Sequence, residues 1–261
     1  MRLITVVGIG LGVAAPLGAQ TDAVLLAEGR EAAARSPREA LRLFHEVLRH
    51  DSLHFEANWR SAVALVNIGQ ETPDSIRSLA RDSSYLAAGQ FARRAVAADS
   101  GKPEGHFVLA MALGRVALTK SKKDRVRFAI GIYQAATRAL AIDPNHDGAH
   151  HILGLWHAEA MRTSGFNRFM AKNLLGGKIL SKANWAAAVD HLETAVRIDP
   201  TRIFHRLDLA RIYVNLERFS AARRELDQIT KLPDRELLDA RYRAEAVLLR
   251  QRIDGKADRG P

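Results

Sequence analysis

An aspartate recurs at Asp51, Asp99, Asp143 and Asp199, and the same spacing of small apolar residues surrounds each one. Eleven residues earlier stand Ala40, Ala88, Ile132 and Ala188, and four earlier stand Val47, Ala95, Ala139 and Ala195. Eleven residues later come Ala62, Ala110, Gly154 and Ala210, and three beyond these come Leu65, Leu113, His157 and Tyr213. Steps of three, four, seven and eleven return to one face of an α-helix. Alanine and glycine at matching places on consecutive helices let two backbones approach closely. Pro144 and Pro200 directly follow two of the aspartates. A residue before proline is pushed out of the helical region, so these two aspartates mark helix ends, and the shared spacing extends the reading to Asp51 and Asp99. The chain is therefore read as all-α, built from four copies of a helix-turn-helix junction.

The chain has 261 residues, 47% of them apolar and 26% charged, a composition able to bury a core. It has no cysteine, which removes disulfides, thiolate catalysis and cysteine-based zinc sites together. The first twenty residues stand apart. Arg2 gives a positive start, residues 3–15 carry no charge, and Pro16-Leu17-Gly18-Ala19-Gln20 is a small-residue exit. That pattern is a secretory signal peptide cleaved after Ala19 or Gln20, and it predicts a periplasmic or secreted protein. The alternative is an uncleaved N-terminal membrane anchor, although the apolar run is short against the roughly 20 residues of a span. The net charge of +10 loses only Arg2 on cleavage, which favours acidic partners or anionic surfaces. Export makes nucleic acid an unsuitable partner.

From residue 21 the apolar stripe divides into hairpins over about 21–51, 52–99, 100–144, 145–200 and 201–233. A further amphipathic helix follows at 236–252, and a tail expected to be disordered at 253–261. Ser36-Pro37-Arg38-Glu39 carries the capping-box signature of a helix start. The arrangement resembles the tetratricopeptide repeat, which implies a right-handed superhelical α-solenoid closed by a C-terminal capping helix. The aspartates are 48, 44 and 56 residues apart, longer than the usual period. The excess is expected between the two helices of each hairpin, most of it across residues 162–182.

Positions eight, twelve and sixteen after each aspartate are expected to face the concave side of such a stack. Trp59, Val63, Phe107, Met111, Arg115, His151, Leu155, Leu207, Arg211 and Asn215 are therefore the candidate partner-binding residues. The set is mostly apolar, which suits an extended or helical peptide; contact with adjacent repeats is the alternative role. Two basic turns form a second candidate surface. Lys120, Lys122, Lys123, Arg125 and Arg127 lie in the third hairpin, and Arg168, Lys172, Lys178 and Lys182 in the long insertion. Within the insertion Phe166, Phe169, Met170, Leu174 and Leu175 alternate with the charges at helical spacing, as in a helix that docks on an anionic membrane surface. Packing of this apolar side on neighbouring hairpins is the competing reading.

His146, His150, His151 and His157, with Asp147 and Glu159 nearby, raise a metal-dependent enzyme as a lesser alternative. No HExxH pattern or third well-spaced ligand accompanies them. Leu175-Gly176-Gly177-Lys178 is too short for a P-loop, and no GxSxG turn exists. No catalytic residue, cofactor or metal is expected.

Residues 106–250 also resemble the regulator of microtubule dynamics family. The resemblance rests on His106-Phe107, Lys120 to Lys123, Ala141-Ile-Asp-Pro-Asn-His146, His151-Ile-Leu-Gly-Leu-Trp156, Ala171-Lys172 and Ala195-Val-Arg-Ile-Asp-Pro200. It implies a diverged tetratricopeptide-like interaction domain without established catalysis, associated with microtubules in animal members. The expectation is an exported, non-enzymatic scaffold that binds protein or peptide through its concave face. A peripheral membrane adaptor docking through residues 162–182 is the alternative.

Overall fold

The computed structural model describes residues 17–73, 75–162 and 178–258. Five helical hairpins follow one another: α1 (Leu17–Ala33) with α2 (Pro37–His50), α3 (Phe55–Gln70) with α4 (Leu79–Ala98), α5 (Pro103–Leu118) with α6 (Lys122–Ile142), α7 (Asp147–Arg162) with α8 (Trp185–Ile198), and α9 (Ile203–Asn215) with α10 (Phe219–Ile229). A short 3-10 turn (Lys178–Lys182) precedes α8, and α11 (Asp239–Arg252) ends the stack. Among the described residues there is no strand, and no helix is long and apolar enough to cross a membrane. The α-solenoid read from the spacing is the fold.

The recurring aspartate ends the second helix of each hairpin by the same device four times. Its extended backbone lets its N–H close the last helical turn, on Val47, Ala95, Ala139 or Ala195. Its Oδ1 then accepts from the N–H two residues on, at Leu53 (3.0 Å), Gly101 (2.9 Å), Asn145 (2.9 Å) and Thr201 (3.1 Å). A carboxylate that binds its own loop this way stops a helix and starts a turn in one residue. The residue seven positions further on completes the lock. Asn58, His106, His150 and Arg206 each place a side-chain nitrogen 3.0–3.1 Å from the carbonyl oxygen of the residue after the aspartate.

The small residues are buried at the crossings they were read for. Ala40, Ala88, Ala188, Ala62, Ala110, Ala210, Val47, Ala95, Ala139 and Ala195 are all fully buried. At Gly154 the fit is tightest, since a Cβ there would stand 2.6 Å from Leu192 Cγ and 3.1 Å from the Ala188 carbonyl oxygen. Ser36 caps α2 as its signature predicts, accepting from the Glu39 N–H at 3.3 Å. The reciprocal half of the box is not made, because the Glu39 carboxylate is drawn to Arg42 at 2.7 and 3.0 Å.

Curvature follows from which helices meet. First helices of consecutive hairpins touch, α1 to α3 to α5 to α7 to α9, while second helices of consecutive hairpins make no contact of that extent. The first helices therefore line the tighter, concave side. At the C-terminal end Ala246 and Leu249 of α11, and Ile253 directly after it, enter the core formed by α8, α9 and α10. The same helix also reaches far back along the chain. Arg241 donates to the Gln70 carbonyl at 2.8 Å, and Gln70 Nε2 lies 3.2 Å from the Tyr242 hydroxyl. Residues 253–258 follow α11 back toward α10. Ile253 is fully buried, the Ile253 and Lys256 carbonyls accept from Arg223, and Asp258 accepts from the Ser220 N–H at 2.7 Å. These side-chain to backbone bonds with α10 tie the stretch to it.

Candidate functional site: the concave face and its flanking turns

The predicted register separates into an open half and a covered half. Trp59 and Val63 on α3 and Phe107 and Met111 on α5 are half-buried and pack together on one core cluster with Ala62, Val66, Ala88 and Val108 beneath them. The Arg60 guanidinium lies 4.3 Å from the Trp59 ring. A small cavity of about 40 Å³ opens beside it, lined by Pro37, Phe44, Trp59 and Asn67 among others. Toward the C-terminus the same positions face other helices. Leu207 is buried in the core of the last hairpins, and Arg211 is held by Asp208 at 2.7 Å and by Glu245 of α11. Tyr242 stands 6.3 Å from the Phe204 ring, close enough to Arg115 for that charge to act on its hydroxyl. Leu155 is half-buried. Asn215 is exposed and, with its amide oxygen turned toward Arg162, accepts from it at 2.6 and 2.9 Å.

His151 lies inside a chain of polar groups that joins α7 to α9. Asp147 Oδ2 meets His205 Nε2 at 2.9 Å, His205 Nδ1 meets His151 Nδ1 at 3.0 Å, and His151 Nε2 meets Asp208 Oδ2 at 3.3 Å. Arg202 closes the other end on Asp147 at 3.2 Å. Burial pushes the fully buried His205 down to about 4, against the hydrogen bond it makes to the Asp147 carboxylate. Burial pulls Asp208 upward, yet the bond from His151 and the charge of Arg211 outweigh it and hold the carboxyl at about 2. At Asp147 the same contest, won by His205 and Arg202, leaves it well below its ordinary value. These acids are ionised, charge-paired parts of the helix contact.

The remaining histidines also have structural partners. His146 caps α7, accepting from the Ala149 N–H at 3.2 Å, and its ring packs 4.6 Å from Phe107. His54 does the same at α3, accepting from Ala57 at 3.3 Å. His150 meets His191 at 2.9 Å, and burial, with His150 and His157 beside it, takes His191 down to about 4. His157 stacks on His191 and meets Trp156 edge-on, as its place in the register of Leu65 and Tyr213 predicts. Among the described residues no group of three or more His, Cys, Asp or Glu is arranged to hold a metal ion. Sequence reasoning missed the role of His205 and Asp208, whose partners lie more than 50 residues away. A histidine facing an acid across two successive first helices is the signal that was available.

The basic turns lie along α6. Arg125 closes the end of α5, donating to the Leu118 and Lys120 carbonyls at 3.1 Å. Lys120 and Arg127 border an open pocket of about 500 Å³ with Leu113, Asp124, Phe128 and Gly131. Lys122 and Lys123 begin α6, and Lys178 begins the 3-10 turn. That turn packs Ile179 and Leu180 near Val126, Ala129 and Tyr133, which brings Lys182 to 5.4 Å from the Tyr133 ring. Arg168 and Lys172 lie outside the described residues, as does most of the 162–182 insertion.

Compared with known proteins, the model of the family described as Regulator of microtubule dynamics protein 1-3 matches residues 21–254. A search of curated proteins finds no match. Among solved structures, a thermophilic TPR protein of Thermus thermophilus, TTC0263, is similar at a TM-score of 0.61 and 19% identity, over 87% of this chain and 98% of that one. The pilF protein of Pseudomonas aeruginosa is similar at 0.53 and 14%, over 92% and 95%. At such identities the likeness shows the helical-repeat fold.

Proposed function

Given that the chain belongs to the Regulator of microtubule dynamics protein 1-3 family, whose model spans all but its two ends, we propose that it is an exported, non-enzymatic scaffold that binds a protein or peptide on its concave face. The observation that carries this is the strip of Trp59, Val63, Phe107 and Met111, apolar and only half-buried on a face that curves inward. Such a strip offers an apolar helix or extended segment a place to bury side chains, and anchors of this kind dominate binding energy. Arg60, stacked on Trp59, supplies a charge at its edge. Export rests on the leader-like residues 1–20.

The test is capture from the envelope fraction by crosslinking, with Trp59→Ala and Phe107→Ala together against the parent chain. Loss of one specific partner, with helical circular dichroism kept, supports the groove. Unchanged capture counts against it. A second reading, docking on an anionic membrane surface through the turn at Lys120 and Arg127, is favoured by the apolar pocket those cations border. It requires salt-sensitive sedimentation with vesicles rich in anionic lipid, and loss of that binding on charge reversal at both positions.

A further inference from the structure

The two edges of the stack differ in charge. Consecutive helices pack on one another and run antiparallel, so the turns within hairpins gather on one edge and the aspartate turns on the other. Side chains tie the first set together. Arg38, beside the first turn, meets Glu71 in the second at 2.6 Å, Ile179 and Leu180 of the fourth pack near Val126 and Ala129 after the third, and Arg162 before the fourth reaches Asn215 before the fifth. On this edge the acids are engaged. Glu71 is held by Arg38, Asp82 by Arg81 at 3.0 Å and Glu159 by Arg162, while Asp124 accepts from the Ser121 hydroxyl at 2.7 Å. Several cations are not. Arg77 in the second turn, Lys120, Arg125 and Arg127 about the third, Lys182 in the fourth and Arg218 in the fifth make no ion pair among the described residues. The opposite edge carries the recurring aspartates, and the cations beside them, Lys102 and Arg202, are drawn onto Asp99 at 3.7 Å and Asp199 at 3.1 Å. Apolar side chains also stand out from the basic edge. Leu79, in the first turn of α4, is 86% exposed, Ile76 before it 54%, and Leu118 at the end of α5 46%.

We propose, building on the membrane reading given for Lys120 and Arg127, that this whole edge seats the protein on an anionic lipid surface. Leu79, Ile76 and Leu118 enter the headgroup layer, and the cations of four hairpins spread across it. Charge complementarity selects this occupant. Cations set on separate turns along an edge match a broad sheet of negative charge, each adding its own attraction near the surface. Exposed leucine and isoleucine between them gain by leaving water for the acyl boundary. A nucleic acid has less use for such an edge, since no aromatic ring is exposed there among the described residues for a base to stack on. Seated this way the solenoid stands upright, with its aspartate turns away from the lipid. The strip of Trp59 and Phe107 lies on the concave face and stays open to a partner.

Co-sedimentation of the full chain with phosphatidylcholine vesicles carrying about 30% phosphatidylglycerol tests this. The expected result is binding that falls as salt rises from about 0.05 to about 0.5 M. Leu79→Glu weakens it at least about tenfold, with the helical spectrum unchanged because the residue is exposed. Arg77→Glu and Arg218→Glu each weaken it about fivefold, whereas Lys102→Glu on the aspartate edge changes it by no more than about twofold. Because the chain has no cysteine, Leu79→Cys carries a single polarity-sensitive dye, whose emission shifts to the blue on vesicles. The same dye at Leu53→Cys, 56% exposed on the aspartate edge, does not shift. Loss of binding on charge reversal at Lys120 and Arg127, with Leu79→Glu, Arg77→Glu and Arg218→Glu all without effect, overturns the edge and leaves the single-turn reading standing. An equal dye shift at both positions overturns it too. Absence of binding to anionic vesicles ends both readings, and tighter capture of single-stranded DNA, indifferent to Leu79→Glu, assigns the edge to nucleic acid instead.

Discussion

Gly154 is the position where the repeat register makes the sharpest quantitative demand. Replacing a mid-helix glycine by alanine ordinarily stabilises a helix by about 1 kcal/mol, because the unfolded chain loses freedom. At Gly114, inside α5, an added Cβ meets nothing within 4 Å, so Gly114→Ala should show that gain. At Gly154, inside α7, the same methyl would stand 2.6 Å from Leu192 Cγ and 3.1 Å from a backbone oxygen of Ala188. Both atoms belong to α8, and Leu192 and Ala188 are fully buried. The helices have to separate or Leu192 has to leave its rotamer, and overpacking of this kind costs about 1–3 kcal/mol. Subtracting the propensity gain leaves Gly154→Ala neutral to about 2 kcal/mol destabilised, and about 1–3 kcal/mol below Gly114→Ala. Urea unfolding followed by circular dichroism, with the slope held common, measures both. If Gly154→Ala stabilises the protein as much as Gly114→Ala, the close approach of α7 and α8 is wrong.

Acid sensitivity follows from His205, whose folded value of about 4 lies below the ordinary 6.5. The unfolded chain therefore binds the extra proton between those values, and stability present above pH 6.5 falls by up to about 3 kcal/mol as pH drops to 4. His191, also lowered to about 4, acts in the same direction, and Asp208 contributes its loss only below about pH 4. His205→Gln should flatten the urea midpoint over that window, and an unchanged pH slope would rule out His205 as the source. Asp99→Ala removes the bond to the Gly101 N–H and should cost about 1 kcal/mol, with Asp99→Asn costing less because the amide oxygen still accepts. Tyr242→Phe combined with Arg241→Ala should speed hydrogen exchange at the end of α3 while leaving α1 and α2 unaltered. Equal protection in both forms would mean that the contact with Gln70 does not hold.

Much of the fold was legible because alanine and glycine recur wherever helices cross, and because the aspartate performs one local job at fixed distance. The position seven residues after it escaped notice for the opposite reason. Asn58, His106, His150 and Arg206 share a bond but no side-chain type, so no residue pattern shows. The histidines looked like a cluster because four fall within twelve residues, yet they leave the helix in different directions. His146 caps it, His150 and His157 face α8, and His151 faces α9. Trp59, Val63, Phe107 and Met111 come together half-buried on one cluster because their register is intact and their neighbours are local. Leu207 and Arg211 obey the same register but meet α11, and nothing in the spacing around Asp199 records where a later helix will lie.

The tie between Gln70 and the start of α11 joins residues 172 positions apart. In an ordinary stack each hairpin knows only its neighbours, and melting can begin at either end and travel inward unit by unit. Here the far terminus is fastened to the second unit, so the C-terminal hairpins cannot peel away without first severing a distant knot, and disorder is steered toward α1 and α2. The same fastening bears on the proposed binding. On the function proposed above, a peptide would be laid in sideways beside Trp59 and Phe107 and not threaded end to end along the curve.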